Sequence, residues 1–137
     1  MTHQIELTLV NRVDEIARLQ DELEQFGSRQ GLPGSSLHQV QLALEEHLAN
    51  ILRYAYQDKA EHQVTVRIKI GEHLLEIEVV DDGRPFNPLE FPAPDLTIPL
   101  EQRSIGGLGI HMIRKSVDQI AYRRERDQNI LIMSKRI

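Results

Sequence analysis

Glu46 and Asn50 stand one helical turn apart in the stretch LALEEHLAN, residues 42–50, and Arg53 follows three positions later. A carboxylate can take a proton from a hydroxyl, and a neighbouring amide oxygen can help hold Mg2+, with phosphates and water completing the ion's shell. At about 100° per residue, Asn50 falls about 40° round the helix from Glu46, and Arg53 falls on the same side. Leu37, Val40, Leu44, Leu48, Ile51 and Ala55 form the apolar stripe of the same helix. Glu46 is therefore expected nearly opposite the core, with Asn50 beside it on the face turned from the core. Glu45 points elsewhere, and His47 is expected at the border of the buried stripe in a structural role. A solvated helix face would account for many such triplets. Asparagine argues against it here, because it is a poor residue for a helix interior unless its side chain is used.

Two glycine-bearing segments follow. In DDGRPF, residues 81–86, Asp81 closes a strand, and Gly83 permits either a turn or the close approach of a ligand to the backbone. In GGLGI, residues 106–110, Gly106, Gly107 and Gly109 surround Leu108 at the start of a helix. Free N–H groups there can converge on an anion, helped by the helix dipole. An Asp-Gly turn and a flexible hinge are the plain alternatives. No Gly-Lys-Ser/Thr follows the second segment, which excludes a P-loop, and no buried parallel strand precedes it, which argues against a dinucleotide fingerprint.

The elements that must position these residues are readable from periodicity. Ile5, Leu7 and Leu9 alternate as a strand, and Asn11 is expected to cap a helix carrying Val13, Ile16, Leu19, Leu23 and Phe26 and ending at Gly27. Ser36 with Gln39 reads as a capping box opening the second helix, which runs to Tyr54 or Tyr56. Val64 to Ile70 and Leu75 to Val79 alternate as a hairpin about the turn GEH. A Pro-rich stretch, 87–105, has the length of a functional lid or a disordered segment. Ile110, Ile113, Val117 and Ile120 mark a third helix, and strands near 121–125 and 130–135 flank a turn at DQN. This order predicts an α+β fold: a two-layer α/β sandwich with a mostly antiparallel sheet and helices on one face, in a single domain over 1–137.

The chain has 137 residues, net charge −5 and no cysteine. The charge lowers the case for direct nucleic-acid binding, and the missing cysteines exclude thiolate chemistry and disulfides. No apolar run approaches a membrane span, and the N-terminus lacks the pattern of a signal peptide, so a cytoplasmic location is expected.

Taken in order, EHLAN, DDGRPF and GGLGI resemble the N box and the two glycine boxes of the GHKL ATPase superfamily. LALEEHLANILRYAY and GGLGIHMIRKSVDQIAYRR are close to its anti-sigma factor and serine-protein kinase branch, the RsbW/SpoIIAB type. The resemblance implies the histidine-kinase-like (Bergerat) ATPase fold, with ATP and Mg2+ as cofactors. It makes Glu46 the residue that activates the attacking group, Asn50 the Mg2+ ligand and Arg53 a basic residue near the phosphates. Asp81 becomes the acceptor for the adenine amine, with Gly83 leaving room for the base. Gly106, Gly107, Leu108 and Gly109 become the phosphate cradle, and 87–105 the ATP lid. His47, Tyr54, Pro85 and Ile132 depart from the pattern, the last standing near a position where many members have a threonine that supports adenine binding.

The implied activity is transfer of phosphate from ATP to a serine of a STAS-type anti-sigma-factor antagonist. Sequestration of a sigma factor and a homodimer are implied by the resemblance alone. A nucleotide-gated binding module with little kinase activity is the rival from another class. The retained Glu46 and Asn50 argue against it. The ATPase piece of a histidine kinase is disfavoured, since no phosphoacceptor helix precedes the first strand.

Overall fold

Val64, Val66, Ile68 and Ile70 are buried while their neighbours Thr65, Arg67 and Lys69 are not, the signature of a strand with one face on a core. The computed structural model describes residues 2–90 and 107–137, without side chains for 107–110. Its elements are β1 (His3–Val10), α1 (Val13–Arg29), α2 (Gly34–Tyr54), β2 (Gln63–Ile70), β3 (Leu74–Asp81), a 3-10 turn (Pro88–Glu90), α3 (Gly107–Ser116), β4 (Gln119–Glu125) and β5 (Gln128–Arg136). The strands form one sheet in the order β1-β2-β3-β5-β4, every pair antiparallel.

Leu19, Leu23 and Phe26 of α1 and Leu44, Leu48 and Ile51 of α2 share one core with Val66, Ile68, Ile77, Val79, Leu131 and Met133 of the sheet. Each fully buried side chain of this size contributes about 1.5–3 kcal/mol. The opposite face of the sheet carries a polar row, with Val80 and Ile130 paired and buried farther along it. There Arg67 bridges Glu6 of β1 at 2.9 Å and Glu78 of β3 at 3.4 Å, a row of three aligned by the strand register. The expected α+β sandwich with helices on one face is the architecture found. Among the described residues, no helix is long and apolar enough to cross a membrane.

Several local expectations need correction. Asn11 does not cap α1. The cap position is Arg12, without a side-chain bond, while Asn11 joins the end of β1 to the approach to β2 by accepting from the His62 N–H at 2.9 Å. Glu15 takes the Val10 N–H at 3.0 Å, which ties the start of α1 to β1. Gly27 lies inside α1, where a β-carbon would press Leu37 at 3.3 Å, and the chain reverses at Gly31, whose φ is +72°. The Ser36–Gln39 capping box is not formed. Pro33 holds the cap position of α2 without a side-chain bond. The third helix stops at Ser116, and Ile120 belongs to β4. The closing hairpin turns at Arg126 and Asp127, with φ of 53° and 62°, so Asn129 lies in β5 rather than in the turn. Of the stretch read as the lid, 88–90 form the 3-10 turn, while 91–105 lie outside the described residues.

Candidate functional site

Helix α2 has two buried flanks. Leu44, Leu48 and Ile51 meet the sheet, as their spacing predicts. Ala43, His47 and Asn50 are buried as well. Helix α1 meets α2 near Leu37 and Gln41, where Gln20 donates to the Gln41 carbonyl at 2.9 Å. Helix α3 also packs along α2. Asn50 is 0% exposed, so its expected place on a face turned from the core is corrected: it is buried.

Burial makes Asn50 the most informative residue of the site. Among the described residues, neither its Oδ1 nor its Nδ2 has a hydrogen-bond partner, and the Nδ1 of the 3% exposed His47 has none either. A buried polar group left unpaired costs about 1–3 kcal/mol. Such orphans in a folded protein point to a ligand, water or ion that completes them. The amide oxygen of Asn50 therefore fits a Mg2+ ligand. No cluster of three or more His, Cys, Asp or Glu among the described residues could hold a metal alone, so phosphate and water would have to supply the remaining ligands. Burial drives the His47 pKa down to about 4, so the ring is neutral at pH 7.

Glu46 is at the rim, its side chain 24% exposed, with Arg53 Nη1 4.0 Å from its Oε1. Arg53 is 52% exposed, beyond the buried part of the helix. Glu46, Asn50 and Arg53 thus share one side of α2, graded from solvent to interior. Gly107, Leu108 and Gly109 form the first turn of α3, whose N–H groups have no partner within the helix. Gly106 lies outside the described residues.

Asp81 ends β3 and is 3% exposed. Its Oδ1 accepts from Gly83 N–H at 3.0 Å and from Asn129 Nδ2 at 2.9 Å. Burial pushes the Asp81 carboxyl pKa up, and the bonds from Asn129 and Gly83 oppose that shift. Asn129 is held in turn: its Nδ2 also donates to the Arg84 carbonyl at 2.8 Å, and its Oδ1 accepts from Phe86 N–H and the Tyr122 hydroxyl. Sequence reasoning missed Asn129. Ile132 pairs with Glu78, and the partner of Asp81 across β3 and β5 is Asn129. The one signal available was its position in β5 opposite the end of β3.

Gly83 has a packing reason that the sequence did not disclose. A β-carbon there would stand 2.5 Å from Ala55 Cβ and 2.6 Å from the Ala55 carbonyl oxygen. The loop is strapped to the end of α2 by the Arg84 N–H, which donates to the same carbonyl at 2.9 Å, and by the Arg84 side chain on the Tyr54 carbonyl. The Tyr54 and Phe86 rings stack with centroids 5.7 Å apart. On the outer side, Tyr56 donates to Asp82 at 2.9 Å and stacks on His62. These contacts tie the loop after Asp81 to the end of the helix that carries Asn50.

Residues 9–135 match the sequence profile of the histidine kinase-like ATPase domain family, and the chain belongs to that family. It is similar to the serine-protein kinase RsbW of Listeria monocytogenes serovar 1/2a, with 26% identity over 124 residues, 88% of this chain and 79% of that one. The serine-protein kinase RsbW of Bacillus subtilis is 25% identical over 122 residues, 85% of this chain and 75% of that one. Among solved structures, the RsbU and RsbW domains of Rv1364c from Mycobacterium tuberculosis superpose with a TM-score of 0.71 at 13% identity, covering 98% of this chain and 32% of that one. The histidine kinase domain of the Erythrobacter litoralis EL346 blue-light activated kinase gives a TM-score of 0.56 at 18% identity, covering 89% of this chain and 59% of that one. This chain thus spans about a third of the first structure, and both likenesses bear on the fold alone.

Proposed function

We propose that this protein is an ATP- and Mg2+-dependent serine/threonine-protein kinase that phosphorylates a STAS-type anti-sigma-factor antagonist, and that it also holds a sigma factor as part of a partner switch. The observation that carries the reading is the buried, unpartnered amide of Asn50 one turn from the part-exposed carboxylate of Glu46. Similarity to serine-protein kinases named RsbW supports a protein serine as the acceptor. A homodimer follows from the same resemblance.

In this reading Asp81 accepts from the exocyclic amine of adenine through Oδ2, since its Oδ1 already has two donors. Gly107, Leu108 and Gly109, with Gly106 before them, present N–H donors to the phosphates. Asn50 Oδ1 would hold Mg2+, which when bound offsets the charge of the phosphates. Glu46 stands at the rim, where an incoming serine hydroxyl could reach it, and takes the proton as the serine oxygen bonds to the terminal phosphorus and the bond to the bridging oxygen breaks, releasing ADP. Arg53 beside it is placed to meet phosphate charge once the carboxylate has turned to its substrate.

The test is a transfer assay with labelled ATP and a STAS-type protein. Glu46→Gln should lower the transfer rate by about 100-fold or more, the usual contribution of a positioned base, while nucleotide affinity stays near wild type. Transfer at the wild-type rate would remove Glu46 from the mechanism.

A further inference from the structure

Among the described residues, three orphaned polar atoms, not one, lie buried on the second flank of α2: Oδ1 and Nδ2 of Asn50 and Nδ1 of His47. The two residues are three apart, so their side chains leave neighbouring turns of the helix with β-carbons about 5–6 Å from each other. Around the axis, Asn50 lies about 40° from Glu46 and about 60° from His47, so His47 flanks Asn50 on the inner side as Glu46 does on the outer. Donor residues spaced i, i+3 on one helix recur as metal ligands in helical proteins. A histidine here departs from the small residue that the resemblance leads one to expect, and core packing does not explain a polar nitrogen with no partner.

We infer that His47 Nδ1 and Asn50 Oδ1 act as an N,O donor pair for the divalent ion that accompanies the nucleotide, which raises the site's affinity for a first-row transition ion such as Mn2+ relative to its affinity for Mg2+. The inference rests on the proposed role of Asn50 and adds the ion's chemical class. Mg2+ is hard and takes oxygen donors almost exclusively, whereas an imidazole nitrogen suits transition ions. One nitrogen in an otherwise oxygen shell of amide, phosphate and water shifts the preference without requiring a dedicated metal cage, in keeping with the absence of a His, Cys, Asp or Glu cluster among the described residues.

The experiment uses the full chain labelled with 15N at histidine, Mn2+ as the probe and a non-hydrolysable ATP analogue. Pulsed electron paramagnetic resonance of the bound Mn2+ should show hyperfine coupling to a histidine 15N. The chain has six histidines, so the His47→Leu and His47→Gln variants assign the coupling, and both should lose it. In titrations, the ratio of Mn2+ to Mg2+ affinity should fall about tenfold in the same variants, at the low end of what loss of a supporting group costs a metal site. Bound Mn2+ and nucleotide without 15N coupling in the wild type would overturn the assignment of His47 and leave the nucleotide site standing. Failure to bind nucleotide with either ion would overturn both. Should the leucine variant fail to fold, the glutamine variant assigns the coupling, and coupling that persists in it would overturn the assignment to His47.

Discussion

Asn129 Nδ2 donates to Asp81 Oδ1 at 2.9 Å and to the Arg84 carbonyl at 2.8 Å, joining the end of β3, the loop after it and the start of β5 at one buried amide. The two residues face each other in the strand register. With Gly83 also bonded to Oδ1, the carboxylate is held in one orientation, and Oδ2 is the oxygen that the proposed function gives to adenine. Ligand sites built on paired strands in this way hold their geometry without help from the ligand.

Replacing Asn129 tests that support. Asn129→Ala strips the partner from Asp81 Oδ1, and it orphans the Phe86 N–H and the Tyr122 hydroxyl as well. Stability in urea should fall by about 1–3 kcal/mol, the cost of buried polar groups left unpaired. Calorimetric titration with an ATP analogue should show affinity weakened about tenfold, equivalent to about 1.4 kcal/mol. A loss of stability with unchanged affinity would limit Asn129 to the scaffold.

Gly83→Ala should be harsher for folding. The new methyl would sit 2.5 Å from Ala55 Cβ and 2.6 Å from the Ala55 carbonyl oxygen, and the second contact is backbone and cannot swing away. Overpacking of this kind costs about 1–3 kcal/mol or more. The urea midpoint should drop, and the added change Ala55→Gly should restore only part of it, because the carbonyl remains. Full restoration would show that the backbone contact is tolerated.

The strands were legible because one side of each faces the core. Val64, Val66, Ile68 and Ile70 carry a period of two that nothing interrupts. The sheet-facing stripe of α2 was legible for the same reason. Its second buried flank was not, because Ala43, His47 and Asn50 together give little apolar signal and the helix that packs along α2 is more than 50 residues away. Asn129 was read as a turn residue, although the turn is made by Arg126 and Asp127, and its partner is 48 residues distant. Asn11 has the residue type of a cap, but its side chain is taken by the backbone of Ala60 and His62. Local propensity fails where a distant segment competes for the same polar group.

His47 predicts the response to acid. Burial lowers its pKa from 6.5 in the unfolded chain to about 4 in the folded one. The unfolded state therefore binds a proton that the folded state refuses, and stability falls as pH drops from 6.5 towards 4. The full effect is about 3 kcal/mol at about 1.4 kcal/mol per pH unit. His47→Leu removes the titration and an unpaired nitrogen together. Its urea midpoint should equal or exceed that of the wild type at pH 7, and the advantage should widen at pH 4.5. Parallel decline of the two proteins over this range would mean that His47 is already satisfied in solution.

Asp81→Asn separates recognition from folding. Burial already disfavours the ionised carboxyl, so its raised pKa contributes stability at low pH that is lost as pH rises through the folded value. A neutral amide escapes that loss, and the variant should be as stable as the wild type or more so at pH 7. Its amide oxygen can keep the donors on Gly83 and Asn129 at the Oδ1 position. The group facing the ligand then becomes an N–H2 donor instead of an acceptor. A site built to accept from an amine rejects the wrong partner strongly, because the mismatch leaves buried groups unpaired. ATP affinity should fall by at least about tenfold, whereas inosine triphosphate, which presents a carbonyl in place of the amine, should lose less or gain. Equal preference for the two nucleotides in wild type and variant would remove Asp81 from base recognition.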